Sequence, residues 1–413
     1  MIDRHITSQV LAALADTPVV VLTGARQTGK TTLVRALASS AHPARYFSFD
    51  DAGVLAAAQA DPAGFVAGLD RPVVLDEVQR VPQLFVALKA GVDRDRHPGR
   101  FLLTGSANVL LLPRLAELLV GRMEVLSLWP LAQSEIAGAG ESFVDRVFVD
   151  PPFSVSPEAW PQLLDRILRG GYPEVLGRAS AARRQAWFQS YITSLLQRDV
   201  RDLVNVERLT ALPRLLSLLA TRAASLLNTS ELSRTSGIPL STLKRYLALF
   251  EATFLMQLLP AWSGNLGKRL VKAPKLFLSD TGVLASLLGA NQGLLERDRT
   301  LAGPLLENFV VMELFKHVSW SQVRPRLFHF RTQTGQEVDL VLEDAAGRVV
   351  GIEVKASSSV AAKDFKGLRT LAEAVGEGFL RGLVLYTGTE SIPFGEAFHA
   401  LPVQALWPPA ARG

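Results

Sequence analysis

The most constraining feature of the sequence is an apolar run that leads into a glycine-rich loop and then into a helical pattern. Residues 18–22 read Pro-Val-Val-Val-Leu, which is typical of a strand that is buried on both faces. Residues 24–31 match G-x-x-x-x-G-K-[ST], and residues 30–39 predict a helix. Such a loop wraps closely around phosphate groups, because its backbone N–H groups point inward and the helix N-terminus favours negative charge. The sequence therefore predicts an α/β domain with a phosphate-binding loop.

Four more apolar runs in the N-terminal third of the chain predict the rest of a parallel sheet. They cover residues 46–49, 72–75, 101–104 and 124–128. A helical pattern over 108–119 separates the last two runs. Short apolar runs that alternate with helical patterns are the signature of a parallel sheet covered by helices on both faces.

The loop residues are the candidate nucleotide contacts. We expect the Lys30 ammonium to reach the β- and γ-phosphates of ATP, and the Thr31 hydroxyl to bind Mg²⁺. The alternative is an ordinary strand-to-helix turn with a solvated lysine, but a second motif further along the chain supports the nucleotide site. The full set of candidate ATP contacts is Gly24, Ala25, Arg26, Gln27, Thr28, Gly29, Lys30, Thr31, Thr32 and Thr104.

That second motif is the apolar run 73–75, which is followed by Asp76 and Glu77. On the third strand of a phosphate-binding domain, Asp76 is a candidate Mg²⁺ residue beside Thr31. Glu77 is then the candidate base that polarises the attacking water. A strand that ends in Asp-Glu is usually solvated when it occurs in isolation. Together with the loop, it indicates hydrolysis of ATP rather than binding alone.

Two positions near the fourth and fifth strands have open interpretations. Thr104 and Ser106 end the fourth strand, where they could sense the γ-phosphate or the attacking water. Alternatively, Ser106 caps the next helix. Arg122 precedes the fifth strand and could stabilise the transition state at the nucleotide of a neighbouring copy, which predicts a homo-oligomer. Alternatively, it interacts with the C-terminal dipole of the preceding helix.

Taken together, these motifs resemble those of the AAA+ ATPases. The sequence is similar in particular to a bacterial and archaeal family that joins an AAA-type ATPase to a C-terminal region with winged-helix and restriction-endonuclease-like parts. Ala25 stands where the family usually has proline, and Arg169 is the candidate for a second sensor arginine. The resemblance covers nearly the whole chain, through the segments 22–32, 75–79, 103–106, 121–122, 170–173, 198–200, 279–282 and 351–356.

Patterning and this resemblance together predict five consecutive parts. A connection rich in proline over 150–161 separates the first part from the second. The predicted parts are an AAA+ P-loop ATPase core over 1–150, a helical lid over 151–210, a winged-helix-like domain over 211–290, a PD-(D/E)XK nuclease-like domain over 300–390, and a tail over 391–413.

The third part is a candidate nucleic-acid reader. Residues 229–247 have the helix, tight turn and helix pattern of a helix-turn-helix, with Leu240, Leu243 and Leu247 expected on its core face. Positions 230–280 contain seven basic and three acidic residues. We therefore expect contacts to nucleic-acid phosphates, with DNA favoured. The alternative is a protein-interaction module. The basic residues are Arg234, Lys244, Arg245, Lys268, Arg269, Lys272 and Lys275.

Carboxylates and a lysine recur near the end of the chain in a hairpin pattern. Residues 337–343 and 349–355 predict two strands that are joined by a short turn. Asp339 lies on the first of these strands. Glu353 and Lys355 share one face of the second, because side chains alternate along a strand.

With Glu307 on a predicted helix over 305–315, these residues could hold Mg²⁺ and orient a water at a phosphodiester. The set resembles the PD-(D/E)XK nuclease core. The resemblance implies catalytic roles for Asp339, Glu353 and Lys355, and Mg²⁺ at Glu307, Asp339 and Glu353. The alternative is a solvated hairpin with a surface Glu/Lys pair. Against it, unpaired charges would be costly in a strand that is otherwise apolar.

Composition narrows the class of protein. The 413 residues include no cysteine, which excludes disulfides, a thiolate nucleophile and sulfur-ligated zinc, and favours a cytoplasmic location. No apolar run is long enough to span a membrane, so no membrane partner is expected. We therefore expect Mg²⁺-dependent ATP hydrolysis coupled to a nucleic-acid-binding or nuclease-like region. The alternative is a nucleotide-switched interaction or DNA-binding protein whose nuclease-like domain does not cut.

Overall fold

The computed structural model describes residues 2–70, 72–106, 119–140, 142–149, 155, 158–203, 211–265, 267, 269 and 272–408. The helix predicted from residue 108 and the side chains of the segment 198–200 lie outside this description. The chain forms two compact units. The N-terminal unit comprises Arg4–Pro130 and Ala248–Phe254, and the C-terminal unit comprises Met1–Asp3, Leu131–Leu247 and Leu255–Gly413. No helix in the described ranges is long and apolar enough to cross a membrane.

The N-terminal unit contains a five-stranded sheet in which all neighbouring strands run parallel. The strand order is β2-β3-β4-β1-β5. Every strand lies within one residue of its predicted bounds, so the α/β fold class is confirmed. The strands are β1 Val19–Thr23, β2 Arg45–Ser48, β3 Val73–Asp76, β4 Phe101–Gly105 and β5 Met123–Ser127.

Helices cover both faces of this sheet. Val19 and Val21 of β1 contribute to one apolar cluster, and Val20 and Leu22 contribute to another, because successive side chains point to opposite faces. Both clusters are fully buried, which explains why the strands are continuous apolar runs. The helices are Thr7–Asp16, Lys30–Ser39, Ala52–Ala60, Pro62–Ala67 and Leu84–Arg94, with a 3₁₀ turn at Val78–Arg80.

The first part of the C-terminal unit is helical. Its helices are Gln133–Ala137, Phe143–Val149, Trp160–Arg169, Pro173–Leu176, Ala181–Leu203 and Ala211–Ala220, and further along the chain Thr281–Leu288, Gln292–Arg297 and Ala302–Val318. A 3₁₀ turn at Arg299–Leu301 precedes the last of these.

Two segments that carried the family resemblance meet in this unit. The buried Asp280 carboxylate caps the helix Thr281–Leu288 by accepting hydrogen bonds from the N–H groups of Gly282 and Val283. It also accepts one from the N–H of Gly171 at 2.7 Å. A Cβ on Gly170 would lie 2.2 Å from Asp280 Oδ1, so the glycine at this position gives the carboxylate room. These segments therefore have a structural role, and burial raises the pKa of Asp280.

A small antiparallel sheet and two helices form the middle of the C-terminal unit, except that the end of the second helix, from Ala248, belongs to the N-terminal unit. The predicted helix-turn-helix segment contains the helices Thr229–Ser236 and Leu240–Ala252. The strands β6 Ser225–Leu226, β7 Met256–Leu259 and β8 Lys275–Leu278 follow the spatial order β6-β8-β7. The chain therefore runs helix, β6, two helices, β7 and β8.

The core face of the second of these helices was only partly predicted. Leu243 and Leu247 are buried, as expected, but Leu240 is 39% exposed. Leu240 is the first residue of its helix. Side chains tilt toward the N-terminus of a helix, so the first one extends past the helix end instead of lying on the core face.

The last part of the C-terminal unit is a six-stranded mixed sheet with the order β13-β14-β12-β11-β10-β9. The predicted hairpin is confirmed, because β10 and β11 pair antiparallel. The strands are β9 Arg326–Arg331, β10 Glu337–Glu343, β11 Val349–Lys355, β12 Phe379–Tyr386, β13 Ile392–Pro393 and β14 Phe398–Pro402. The helix Lys366–Val375 packs on this sheet, with 3₁₀ turns at Ala362–Phe365, Gly376–Gly378 and Val403–Leu406.

The described part of residues 391–413 belongs to the sheet and does not form the tail that the sequence predicted. Strand β14 pairs in parallel with β12, and β13 pairs with β14. Val403, Leu406 and Trp407 are buried. Prolines suggested a loose end, but the apolar side chains between them complete the core of the sheet, and their burial outweighs the loss of backbone donors.

Candidate nucleotide site and carboxylate cluster

The glycine-rich loop has a backbone that only particular residues can adopt. Gly24 has a φ of 153° and Gly29 a φ of 96°, both on the positive side that favours glycine. A Cβ on Gly24 would lie 2.2 Å from the backbone oxygen of Leu128. Ala25 and Thr28 are buried, Arg26 and Thr31 are half-buried, and Gln27 and Thr32 are exposed.

Lys30 begins the helix that follows the loop and turns back onto the loop. Its side chain is buried, and its Nζ donates to the carbonyl oxygens of Gly24 at 2.9 Å and Ala25 at 2.8 Å. The Thr28 hydroxyl also donates to the Ala25 carbonyl, at 3.0 Å. The ammonium therefore lies inside the loop, against backbone oxygens of the loop itself.

Arg4 supports the loop from the N-terminus of the unit, and sequence reasoning missed it. Its guanidinium donates to the carbonyl oxygens of Thr28 and Trp129, both at 2.7 Å. No local pattern around Arg4 indicates this role, because the two acceptors are 24 and 125 residues away in sequence.

Asp76 is the centre of a hydrogen-bond network at the carboxyl end of the sheet. Its Oδ2 accepts from the Thr31 hydroxyl at 2.9 Å and from the Tyr46 hydroxyl at 2.6 Å. Its Oδ1 accepts from the Thr104 hydroxyl. Three predicted residues are thus brought together, and Tyr46 is an addition that the sequence did not indicate. Burial, and then the hydrogen bond to Asp76, raise the pKa of Tyr46.

Glu77 is held by its neighbours on both sides. Its backbone has a φ of 61°, in the left-handed region, and its N–H donates to the Thr104 hydroxyl at 3.1 Å. The Gln79 amide donates to the Glu77 carboxylate and, at 2.9 Å, to the Ser106 hydroxyl. Gln79 has no assigned role from the sequence, although it belongs to the matching segment 75–79.

Arg122 lies at the opposite edge of the sheet from the loop. Its carbonyl accepts from the N–H of Val19, the first residue of β1, whereas the loop follows the last residue of that strand. Five strand residues span about 16 Å, so Arg122 is remote from its own loop. Its Nε donates to Asp93 at 2.5 Å, and this hydrogen bond lowers the pKa of Asp93.

Arg169, the candidate sensor arginine, belongs to the C-terminal unit. It forms an ion pair with Asp165, which also binds Arg184 at 2.8 Å. Both contacts are ion pairs between residues of the helical region, and the sensor role of Arg169 stays a prediction.

The predicted carboxylates of the C-terminal unit do come together, around a lysine that was not predicted to be there. Lys275 lies 2.8 Å from Glu307, 2.5 Å from Glu337 and 3.0 Å from Asp339. Burial acts to lower the pKa of Lys275, but the charges of Asp339, Glu307 and Glu337 raise it well above its usual value. The ammonium is therefore charged at every physiological pH.

The second predicted pair lies beside this group. Lys355 Nζ donates to Glu353 Oε1 at 2.7 Å, and the second carboxylate oxygen of Glu353 is buried without a hydrogen-bond partner in the described part of the chain. Burial, followed by the charge of Asp339, raises the pKa of both Glu307 and Glu353. We call Lys275, Glu307, Glu337, Asp339, Glu353 and Lys355 the carboxylate cluster.

The cluster corrects the predicted Mg²⁺ ligands Glu307, Asp339 and Glu353. Both Glu307 and Asp339 are turned to the Lys275 ammonium, so they do not fit a divalent ion in this arrangement. Among the residues that the structure describes, no three His, Cys, Asp or Glu side chains are arranged to hold a metal ion. The sequence pattern could not reveal this, because Lys275 comes from the small sheet, far from the hairpin in sequence.

The basic surface expected between residues 230 and 280 is also smaller than predicted. Lys275 is buried in the carboxylate cluster, and the half-buried Arg269 pairs with Glu343, with contacts of 2.6 and 2.8 Å. Lys268 lies outside the described residues. The exposed basic side chains of the region are Arg234, Lys244, Arg245 and Lys272.

Two proteins match almost the whole chain. They are the uncharacterized protein Mb2031c of Mycobacterium bovis and the uncharacterized protein Rv2008c of Mycobacterium tuberculosis. Each is 34% identical over 407 residues, which is 98% of this chain and 84% of the relative. The chain belongs to their family.

Three domain models match consecutive parts of this family member. An AAA domain matches residues 16–137, a domain of unknown function (DUF8612) matches 161–293, and a domain of unknown function (DUF4143) matches 302–406. The match over residues 16–137 supports the AAA part of the resemblance. The winged-helix and restriction-endonuclease-like parts stay predictions.

Solved structures of a Thermotoga maritima RuvB Holliday junction branch migration motor also align with the chain. The motor is 19% identical, with 61% of this chain and 86% of that chain covered, at a TM-score of 0.30. A variant of the same protein aligns with the same identity and coverage at a TM-score of 0.29. TM-scores at this level are too low to relate the folds of the full chains.

Proposed function

We propose that the chain is a Mg²⁺-dependent ATPase of the AAA+ type. The observation that carries the proposal is the hydrogen bond of 2.9 Å between Thr31 and Asp76, beside a loop that contains Lys30. A hydroxyl and a carboxylate oxygen at this separation are hard oxygen ligands of the kind that Mg²⁺ prefers. When bound with ATP, Mg²⁺ would neutralise charge on the phosphates.

The chain's own groups then have defined tasks. Lys30 would exchange its two carbonyl partners for phosphate oxygens, and the loop N–H groups would bind the remaining phosphate oxygens. Glu77 would accept a hydrogen bond from the attacking water. Gln79 would keep the Glu77 carboxylate in place through its contact with Ser106.

The test is ATP turnover of Lys30→Ala and Glu77→Gln in the full chain. We expect each to lose at least about a hundredfold of turnover, because each removes a group that acts on the transition state. Glu77→Gln should still bind ATP, whereas Lys30→Ala should bind it weakly. The exposed Lys363 supplies a matched control through Lys363→Ala. Wild-type turnover in both site variants would contradict the proposal.

We also propose that the protein is a homo-oligomer in which Arg122 serves the nucleotide of a neighbouring copy. Its place at the far edge of the sheet supports this, because it cannot reach its own loop. Turnover should rise with protein concentration in the wild type and not in Arg122→Ala. Asp93→Ala breaks the same ion pair but keeps the arginine, so it should retain the rise. Loss of the rise in both variants alike would contradict the assignment.

We propose DNA binding for the middle of the C-terminal unit. Its element order of helix, β6, two helices, β7 and β8 supports a winged-helix-like domain, and Arg234, Lys244 and Arg245 are exposed there. Lys244→Ala combined with Arg245→Ala should weaken DNA binding and reduce its salt slope by about 1 per residue. The exposed pair Lys363 and Lys366 offers a control with the same charge change. An equal effect of both pairs would contradict a specific site.

A second candidate function is a nucleotide-switched DNA-binding protein whose nuclease-like region does not cut. The position of Lys275 in the carboxylate cluster favours it. Pure protein should leave linear, circular and single-stranded DNA intact with Mg²⁺ or Mn²⁺, with and without ATP. Cleavage that Asp339→Ala and Lys355→Ala abolish would contradict this candidate. The boundaries near residues 150, 210 and 290–300 belong to both candidates as a proposal, with strands β13 and β14 counted in the nuclease-like region.

A further inference from the structure

The Lys275 ammonium is saturated by carboxylates from two other elements. Its side chain is 2% exposed and contacts Glu307 on the helix Ala302–Val318, and Glu337 and Asp339 on β10. An ammonium has three N–H donors, so three carboxylate acceptors use all of them. An internal cation thus takes the position that a metal ion takes in a carboxylate site.

The cluster nevertheless retains a spare acceptor. Its four carboxylates face Lys275 and Lys355, and Glu337 also pairs with Arg331 at 3.4 Å. One oxygen of Glu353 is buried without a hydrogen-bond partner among the described residues. Asp339 has no such oxygen, because Oδ1 binds Lys275 and Oδ2 accepts from the N–H of Val354 at 2.9 Å.

We propose that Lys275 is the resident cation of the carboxylate cluster and excludes divalent cations from Glu307 and Asp339. An ion on the same carboxylates would lie within about 5 Å of the ammonium, where two positive charges repel strongly in a partly desolvated site. The chain therefore contains a latent divalent-metal site that one side chain blocks. This holds whether or not the N-terminal unit hydrolyses ATP.

The test is Mn²⁺ binding to the full chain without nucleotide, followed by electron paramagnetic resonance of free Mn²⁺. The decisive variant combines Lys275→Met with Glu337→Gln. It removes one positive and one negative charge, which keeps the charge balance, and it leaves Glu307, Asp339 and Glu353 in place. Glu337→Gln alone is the matched control, and Asp339→Asn in each background identifies ions that bind at the cluster.

We expect the double variant to bind one more Mn²⁺ than the wild type and the control, at least about tenfold more tightly than any Asp339-dependent binding in either. Asp339→Asn should abolish this gain. A folded double variant that gains no ion would overturn the proposal. Mn²⁺ binding to the chain with an intact Lys275 also tests the proposal. If Asp339→Asn abolishes tight Mn²⁺ binding in an otherwise wild-type chain, the exclusion is wrong even if the double variant does not fold.

Discussion

The two units each bury a lysine at their candidate site, but they hold it with different partners. Lys30 in the N-terminal unit donates to two backbone carbonyls, and Lys275 in the C-terminal unit contacts three carboxylates. Carbonyl oxygens carry partial charge, whereas carboxylates carry a full charge and bind an ammonium about twice as strongly. Lys30 can therefore leave its partners for a phosphate, and Lys275 is bound as a structural cation.

The same contrast predicts which unit depends on its lysine for folding. A buried charge that loses its partner is expensive, because the partner remains desolvated. Removal of Lys275 leaves three carboxylates facing one another, whereas removal of Lys30 leaves two backbone carbonyls without this donor. Variants at the two lysines, and at matched positions elsewhere in each unit, test this difference.

Lys275→Met should lower the free energy of unfolding by about 3–5 kcal/mol, because it breaks a buried ion cluster by removal of its cation. Lys30→Met should cost about 1 kcal/mol, the value of ordinary hydrogen bonds. Urea unfolding of both variants without nucleotide measures the difference. Equal losses would show that the charge of the partners does not distinguish the two sites.

His329→Gln should remove a sensitivity to acid from the C-terminal unit. Burial lowers the pKa of His329 from 6.5 to about 4, so the folded state binds fewer protons than the unfolded state between these values. Stability from the neutral ring is present above pH 6.5 and is lost as the pH falls toward 4. The loss amounts to up to about 3 kcal/mol.

The measurement is the difference in free energy of unfolding between wild type and His329→Gln, at pH 7 and at a pH near 4.5. Glutamine keeps a donor for the Ala273 carbonyl, which His329 contacts at 3.1 Å. The same substitution at the exposed His97, which lies 2.5 Å from Asp95, measures the effect of the exchange at a surface position. A difference that does not shrink on acidification would contradict a buried neutral histidine.

Gly24→Ala should cost about 2 kcal/mol and abolish ATP binding, because a Cβ at this φ is strained and would clash with the Leu128 oxygen. The result would show that the Lys30 site depends on backbone shape. Gly303→Ala is a suitable control, since nothing lies within 4 Å of its Cβ position. Equal stability of the two variants, measured by thermal unfolding, would contradict a constrained loop.

Tyr46→Phe tests whether the loss of stability depends on the charge of the hydrogen-bond partner or on the unit in which the bond lies. The Tyr46 hydroxyl donates to the Asp76 carboxylate at 2.6 Å, and the Tyr386 hydroxyl donates to the Glu390 carbonyl at 2.7 Å. Tyr46→Phe should lower the free energy of unfolding by about 1.5 kcal/mol and Tyr386→Phe by about 0.5 kcal/mol. The larger loss then falls in the N-terminal unit, whereas for the two lysines it falls in the C-terminal unit. Urea unfolding measures both, and the opposite order would contradict the rule.

The sequence predicted local features well. Strand positions followed from apolar runs, because a strand buried on both faces needs apolar residues throughout. The loop followed from its spacing of glycines and lysine, and Asp76 followed from its place at a strand end. The hairpin that carries Asp339 and Glu353 followed from alternation and a turn. All these features depend on residues close together in the chain.

The missed features involve partners that are distant in sequence. Lys275 is 32 residues from Glu307 and 64 from Asp339, and no local pattern relates them. Arg4 and Tyr46 were missed for the same reason. The supposed tail was misjudged because its prolines were visible locally, whereas the strand that it pairs with was not.

The parallel sheet, the glycine-rich loop and the carboxylates of the hairpin follow from the sequence alone, because spacing and periodicity specify backbone conformation and the face of each side chain. The cation that these carboxylates meet depends on the tertiary structure. Electrostatic partnership depends on distance in space, and folding brings the Lys275 ammonium to within 3.0 Å of three carboxylates from two other elements.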